Sequence, residues 1–238
     1  MPAEYKLDIY SLGEICLMSV IRIQALRIFL VRHGETAENV QMRYIGTRDE
    51  PLTDTGMKQA DQVAGALASF PIRAVYTSPL VRAVDTAGRI KNALCATLHV
   101  DERLREGSFG RWEGMRRDEV IKLGSPDAEL LARWESDASC APPGGESLES
   151  IQVRTISLVK ELEGEMPGES VVLVSHVGPI KALLASALDI PLEATRRLFL
   201  DPCSISVVDW GKHSFLRLFN SHAHLGWSSP RWAGLPTP

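Results

Sequence analysis

The sequence predicts an α/β protein in three layers, a mostly parallel central sheet flanked by helices. Three observations lead there. From residue 25 onward, short apolar runs of strand length alternate with segments of helical periodicity. The most apolar run, residues 171–175, has no polar alternation, as expected of a strand covered on both faces. A chain of 238 residues, 45% hydrophobic and 24% charged, suffices for one full core, and it carries no repeat, low-complexity stretch or convincing linker.

Each element has its own signal. Residues 25–31 read as the first strand. Thr53-Asp54 caps a helix running to about residue 70, with Met57, Ala60, Val63, Ala64 and Leu67 on one face. A strand follows over 72–76. Thr77-Ser78-Pro79 opens the next helix, with Pro79 near its first turn and Val81, Val84, Ile90 and Leu94 as apolar positions. A short strand covers 97–100. Residues 101–146 are irregular: Gly107, Gly110 and Gly114 mark a loop, two modest helical stretches follow, and Pro142-Pro143-Gly144-Gly145 closes an insertion over the sheet face. A long helix (146–163), the apolar strand (171–175) and a helix from Gly178-Pro179 to Leu188 come next. Two last strands, 204–210 and 214–219, are joined through Gly211-Lys212, a hairpin signal. Residues 27–220 thus form a single domain, between an N-terminal extension (1–26) and an irregular Gly-, Pro- and Ser-rich tail (221–238).

Composition narrows the function. A net charge of −4 gives no general field for nucleic acid, so any bound anion must be captured by local arginines. Cys16, Cys95, Cys140 and Cys203 form no Cys-x-x-Cys pair, which suits a reduced cytoplasm and argues against a zinc ribbon or a disulfide framework. The apolar run 15–21 is broken by Ser19, is too short to span a bilayer and follows Glu4, Asp8 and Glu14 rather than basic residues. Neither a signal peptide nor a membrane anchor is read there, and a cytoplasmic protein is expected. Met18 stands shortly before the first strand, so residues 1–17 read as a dispensable extension or a start-site artefact. The extension and the tail are also the places for a homodimer contact.

The polar residues at the strand ends carry the chemistry. The first strand ends in Arg32-His33, and the late apolar strand ends in Ser175-His176-Val177-Gly178. In a parallel sheet such carboxyl ends share one crevice. A third end leads into Ser78-Pro79-Leu80-Val81-Arg82, which puts Arg82 in a first helical turn on the same side. Two guanidinium groups and two imidazoles converging on one volume call for an anion, and phosphate matches guanidinium forks and a helix N-terminus. Nearby positive charge favours a neutral imidazole, which is a competent nucleophile toward phosphorus, so His33 is positioned to become a phosphohistidine. Glu106, in Leu104-Arg105-Glu106-Gly107, supplies the acid that protonates a leaving alkoxide.

The run Leu30-Val31-Arg32-His33-Gly34-Glu35-Thr36 with Asn39, then Arg43, Gly46, Asp49, Pro51-Leu52-Thr53, Gly56 and Gln59-Ala60, resembles the opening of the histidine phosphatase superfamily, in its phosphoglycerate mutase-like branch. The likeness continues through Ser78-Pro79-Leu80-Val81-Arg82-Ala83, Thr86-Ala87, Glu106, Phe109-Gly110 and Trp112-Glu113-Gly114. Pro143-Gly144-Gly145-Glu146-Ser147 and Val174-Ser175-His176-Val177-Gly178 complete it, over roughly residues 27 to 220. The resemblance implies a phosphoglycerate mutase-like fold with His33 as nucleophile and Glu106 as general acid. It also implies phosphate ligands at Arg32, Arg82 and a protonated His176, with Asn39 lining the pocket. Transfer would run in two steps without metal or cofactor, from a small phosphomonoester to inorganic phosphate, with no nucleic acid or membrane as partner.

The segment between Glu106 and Gly145 is compact, with Arg111, Arg116 and Arg117 as its cations. Mutases of this family carry a longer insertion there. The pattern is nearer to the cofactor-independent phosphatases, including the α-ribazole phosphatases, and a bisphosphoglycerate-dependent phosphoglycerate mutase is the alternative. Arg43, Tyr44 and Arg111 are the candidates for substrate discrimination, and Trp112, in the covering loop, is a candidate contact to an organic substrate. His222-Ala223-His224 has a chelating spacing but no Cys or acidic partners in sequence, so a packed or solvent-facing pair is expected and no metal site. Glu35 reads as a helix first-turn acid. His99 and His213 read as structural.

Overall fold

The computed structural model describes residues 25–226. The extension before residue 25, with Cys16 and Met18, and the tail from residue 227 lie outside the described residues.

Strand β1 (Leu26–Arg32) is the most central element in its contacts, because nearly every side chain along it is apolar and covered. It lies between β4 (Ser170–Ser175), to which it is parallel, and β5 (Ile205–Trp210), to which it is antiparallel. Two further strands, β2 (Ala74–Thr77) and β3 (Thr97–Val100), extend the β4 side in parallel, and β6 (Phe215–Ser221) closes the other edge antiparallel to β5. The order is β3-β2-β4-β1-β5-β6, so only β5 runs against the rest. The expected hairpin is thus the sheet's one departure from parallel order.

Alternation along β1 distributes the layers. Ile28 and Leu30 face one side, where they meet α6 (Leu148–Glu165) and α7 (Val177–Leu188) through Leu158, Leu162, Ile180 and Leu184. Phe29 and Val31 face the other, against α2 (Asp54–Leu67) and α3 (Val81–Leu94) through Val63, Leu67, Ala87 and Ile90. The helix expected over 53–70 has Thr53 as its N-cap, its hydroxyl accepting from Gly56 N–H. Ser147 plays the same part for α6, which therefore begins two residues later than the glutamate read as its start.

A one-turn helix, α1 (Ala37–Val40), follows β1. The insertion contains α4 (Arg117–Lys122) and α5 (Asp127–Trp134), which close a separate small core of Trp112, Val120 and Leu131 beside Tyr44 and Phe109. At the far end, β6 runs through Ser221 and a 3₁₀ turn follows at Ala223–Leu225. There His224 Nε2 lies 3.0 Å from the Cys203 carbonyl, and His222 Nδ1 lies 3.8 Å from Asp201. Among the described residues no helix is long and apolar enough to cross a membrane.

Candidate active site

Register brings the two histidines together. Arg32 pairs with Ser175 across β1 and β4, and the ladder runs one step further as His33 N–H donates to the Ser175 carbonyl at 3.0 Å. His33 and His176 therefore stand side by side, their ring centroids 4.9 Å apart, the spacing of adjacent strands. On the other flank of β4, Thr77 pairs with Val174 and Ser78 N–H donates to the Val174 carbonyl at 3.1 Å. Ser78 Oγ thereby comes within 2.8 Å of His176 Nε2. Three neighbouring strand ends thus build one buried polar floor.

Hydrogen bonding assigns the protons. His33 Nδ1 lies 2.7 Å from the Gly34 carbonyl, which can only accept, so Nδ1 carries the hydrogen and Nε2 keeps its lone pair. Burial, followed by the charges of Arg82 and Arg32, holds the His33 pKa well below the ordinary histidine value. Leu80 N–H donates to Ser78 Oγ at 3.3 Å, and Ser78 Oγ and His176 Nε2 share a further hydrogen bond. Where the serine donates, the His176 hydrogen sits on Nδ1, a buried atom with no partner among the described residues. Burial, Arg82, His33 and Arg32 also hold the His176 pKa well below the ordinary histidine value, which favours the neutral imidazole where the resemblance implies a protonated one.

Main-chain carbonyls accept from both arginines. Arg82, 1% exposed, donates from Nη1 to the Arg48 carbonyl at 2.7 Å and from Nη2 to the Gly46 carbonyl at 2.8 Å, and its buried Nε is unpartnered. Arg32 Nη1 donates to the Leu200 carbonyl at 2.6 Å. Among the described residues Arg82 is paired to no carboxylate, so its charge remains available to an anion. Asn39 is the third residue of α1, its Oδ1 accepting Thr36 N–H at 3.2 Å in a capping box.

Glu106 faces this floor from the insertion. Its Oε1 accepts Gly107 N–H at 2.9 Å and Gly178 N–H at 3.1 Å, which seats the carboxylate on the N-terminus of α7. A β-carbon at Gly178 would stand 2.5 Å from Glu106 Oε1, so a larger residue there displaces the carboxylate. Gly34 is more strictly constrained, since its β-carbon would meet the Gly56 carbonyl oxygen at 2.6 Å where α2 closes on the loop after β1. Glu35 is not a first-turn acid of the helix that follows it. It precedes the Thr36 cap, and its Oε1 accepts the Thr53 hydroxyl at 3.0 Å at the start of α2.

Of the residues read as substrate-discriminating, Tyr44 packs on the small core of the insertion, and Arg43 and Arg111 lie in ion pairs around it. Arg43 Nη1 donates to the Gly114 carbonyl at 2.7 Å and to Glu119 at 2.9 Å, while Arg111 Nη2 sits 2.7 Å from both oxygens of Asp127. Tyr44 stacks on Phe109 at 4.8 Å, and burial together with Glu135 pushes its pKa up to about 12. Trp112 is fully buried with Nε1 donating to Asp127 at 2.8 Å, so the expectation that it touches substrate is corrected. Trp134, rather than Trp112, lines a cavity of about 130 Å³ beside Glu106 together with Phe109, Ile151, Val177, Lys181 and Arg196. Lys181 and Arg196 escaped sequence reasoning. The only signal was a single charge inside the otherwise uncharged run 177–188. Burial, then Arg196 and Arg32, lowers the Lys181 pKa to about 8, and the Arg196 guanidinium lies 4.6 Å from the centre of the Trp134 ring.

Residues 28–221 match the model of the histidine phosphatase superfamily, branch 1. The chain belongs to that superfamily. The bifunctional protein Rv2228c of Mycobacterium tuberculosis is 39% identical over 202 residues, covering 84% of this chain and 55% of that protein, so the chain spans about half the length of this relative. The structure of mycobacterial glucosyl-3-phosphoglycerate phosphatase Rv2419c in complex with VO3 is 32% identical, with a TM-score of 0.74 over 82% of this chain and 99% of that one. Bacillus stearothermophilus YhfR is 29% identical, with a TM-score of 0.77 over 84% and 100% of the two chains. The phosphoglycerate mutase-like α/β fold expected from the resemblance is therefore the fold of this superfamily member.

Proposed function

We propose that this chain is a phosphomonoester hydrolase acting on a small phosphorylated metabolite through a phosphohistidine at His33, with residues 27–220 as the catalytic unit. The observation that carries this reading is the His33–Gly34 hydrogen bond at 2.7 Å, which leaves a neutral, unprotonated Nε2 on a floor flanked by Arg32 and Arg82. Nε2 attacks phosphorus and the P–O ester bond breaks. Glu106, at the same mouth, delivers its proton to the departing oxygen. In the second step Glu106 takes a proton from water, the water oxygen attacks phosphorus, and the N–P bond breaks to release inorganic phosphate.

The remaining groups stabilise charge. Arg32, Arg82 through its Nε, which has no partner among the described residues, and His176 through Nδ1–H are in this reading the donors to the equatorial phosphoryl oxygens, with Asn39 as the further phosphate ligand. A phosphate dianion among these groups also opposes the lowering of both imidazole pKa values. The VO3 bound by the related phosphatase, a phosphate-like oxyanion, supports the same use of the floor. The partners in this reading are the ester and its alcohol and phosphate products. Cytoplasmic residence is proposed with it.

The test is release of inorganic phosphate from p-nitrophenyl phosphate without added bisphosphoglycerate, with acid-labile, base-stable labelling of the chain by a ³²P substrate that is lost in His33→Ala. Turnover of phosphoglycerate isomers only when bisphosphoglycerate is present would replace the hydrolase by a mutase.

A further inference from the structure

Resting on the phosphatase reading, we infer that Lys181 and Arg196 form a leaving-group subsite selecting phosphomonoesters whose alcohol carries a second anionic group, a carboxylate or a second phosphate. The cavity they line begins at Glu106 and Gly178, where the departing oxygen takes its proton, so it receives the alcohol rather than the phosphate. Its walls are apolar: Phe109, Trp134, Ile151 and Val177. Such walls suit a short carbon skeleton and exclude water from charges at the far side.

In this cavity two cations, Lys181 and Arg196, face one unpaired carboxylate, Glu106, while Glu135 and Glu193 act on Arg196 from outside the lining. The cavity's carboxylate other than Glu106 is Glu146, which is neutralised in a two-bonded pair with Arg154 at 2.8 and 3.0 Å. Lys181 and Arg196 make no hydrogen bond or salt bridge among the described residues, and the Arg196 Nε is buried without a partner. Arg196, over the Trp134 ring, and Lys181 line one poorly solvated space, where burial first and then repulsion from Arg196 and Arg32 depress the Lys181 pKa. A ligand anion offsets that repulsion. A neutral alcohol leaves both charges desolvated and unpaired, which is how a site built for a polar group rejects an analogue lacking it.

The isosteric esters 3-phosphoglycerate and glycerol 3-phosphate, carboxylate against hydroxymethyl, test this with the full-length enzyme, and glycerol 1,3-bisphosphate separates a phosphate anion from a carboxylate. The wild type is expected to favour one of the two anionic esters over glycerol 3-phosphate by about tenfold or more in kcat/KM. Lys181→Met removes most of that ratio, chiefly through KM, and Lys181→Arg restores it. Equal kcat/KM for all three esters in the wild type, or a ratio unmoved in Lys181→Met, overturns the subsite while p-nitrophenyl phosphate turnover leaves the phosphatase reading standing. Should Lys181→Met not fold, inhibition of wild-type p-nitrophenyl phosphate hydrolysis decides: glycerate inhibiting no better than glycerol overturns the subsite. A wild type inert toward p-nitrophenyl phosphate fails the phosphatase reading itself.

Discussion

The floor of the site and its roof are built by different means. On the floor, His33, His176 and Ser78 are positioned by backbone register, since each is the first residue past a strand whose partner is fixed by ladder hydrogen bonds. The roof, from Glu106 through α5 and across to α7, is held by side-chain contacts: Arg111 and Trp112 on Asp127, Arg154 on Glu146, Arg196 over Trp134. The floor tolerates no shift, because a one-residue slip in a strand turns every side chain to the opposite face. The roof can change residue by residue. In the proposed mechanism the nucleophile and the phosphate donors therefore belong to the floor, while the roof supplies the acid Glu106 and the selectivity.

Substitutions break this division in descending order of effect. His33→Ala removes the nucleophile and is expected to lower kcat for p-nitrophenyl phosphate by about 10⁴-fold or more, measured in the steady state. Glu106→Gln is expected to cost about 10²- to 10⁴-fold on alkyl phosphates, and clearly less on p-nitrophenyl phosphate, whose leaving group needs little protonation. Gly178→Ala displaces the Glu106 carboxylate without removing it, and a loss of about 10- to 100-fold in kcat is expected for alkyl esters. Leu131→Ala opens a void in the small core, where Leu131 is 1% exposed, and is expected to cost about 2–5 kcal/mol in denaturant unfolding while leaving p-nitrophenyl phosphate kcat within a few-fold. A collapse of kcat in Leu131→Ala at temperatures where the chain stays folded would mean that floor and roof are not separable.

Acidification sharpens the same contrast. The folded pKa values of His33 and His176 lie below the unfolded value near 6.5, so the unfolded chain takes up protons first as pH falls. Their contribution to stability is present above about pH 6.5 and is lost as pH drops toward the folded values, with a slope of at most about 1.4 kcal/mol per pH unit for each histidine. His33→Ala should flatten the fall of Tm below pH 6.5, and saturating inorganic phosphate should oppose it. An unchanged slope in that variant would remove His33 from the cause.

What was legible in the sequence follows the same line. Arg32, His33, Arg82 and His176 were readable because a strand end needs only local chain to be recognised, and the parallel order then brings the ends together. Glu106 was readable from its place in a covering loop. Arg111 and Trp112 misled, because Asp127, sixteen and fifteen residues on, is the group they meet, and nothing local announces that pairing. Lys181 and Arg196 were missed for the complementary reason. Their meeting depends on how α7 packs beside the 3₁₀ segment at Leu192–Arg197, a contact with no periodic signature.

One rod of backbone joins the two halves of the site. Gly178 grips the acid with its N–H and Lys181 stands three residues along the same helix, a rise of roughly 4.5 Å on one face. α7 is therefore a ruler: it sets how far beyond the scissile oxygen a substrate's second charge can sit, and it accepts or refuses alcohols by length as well as by sign.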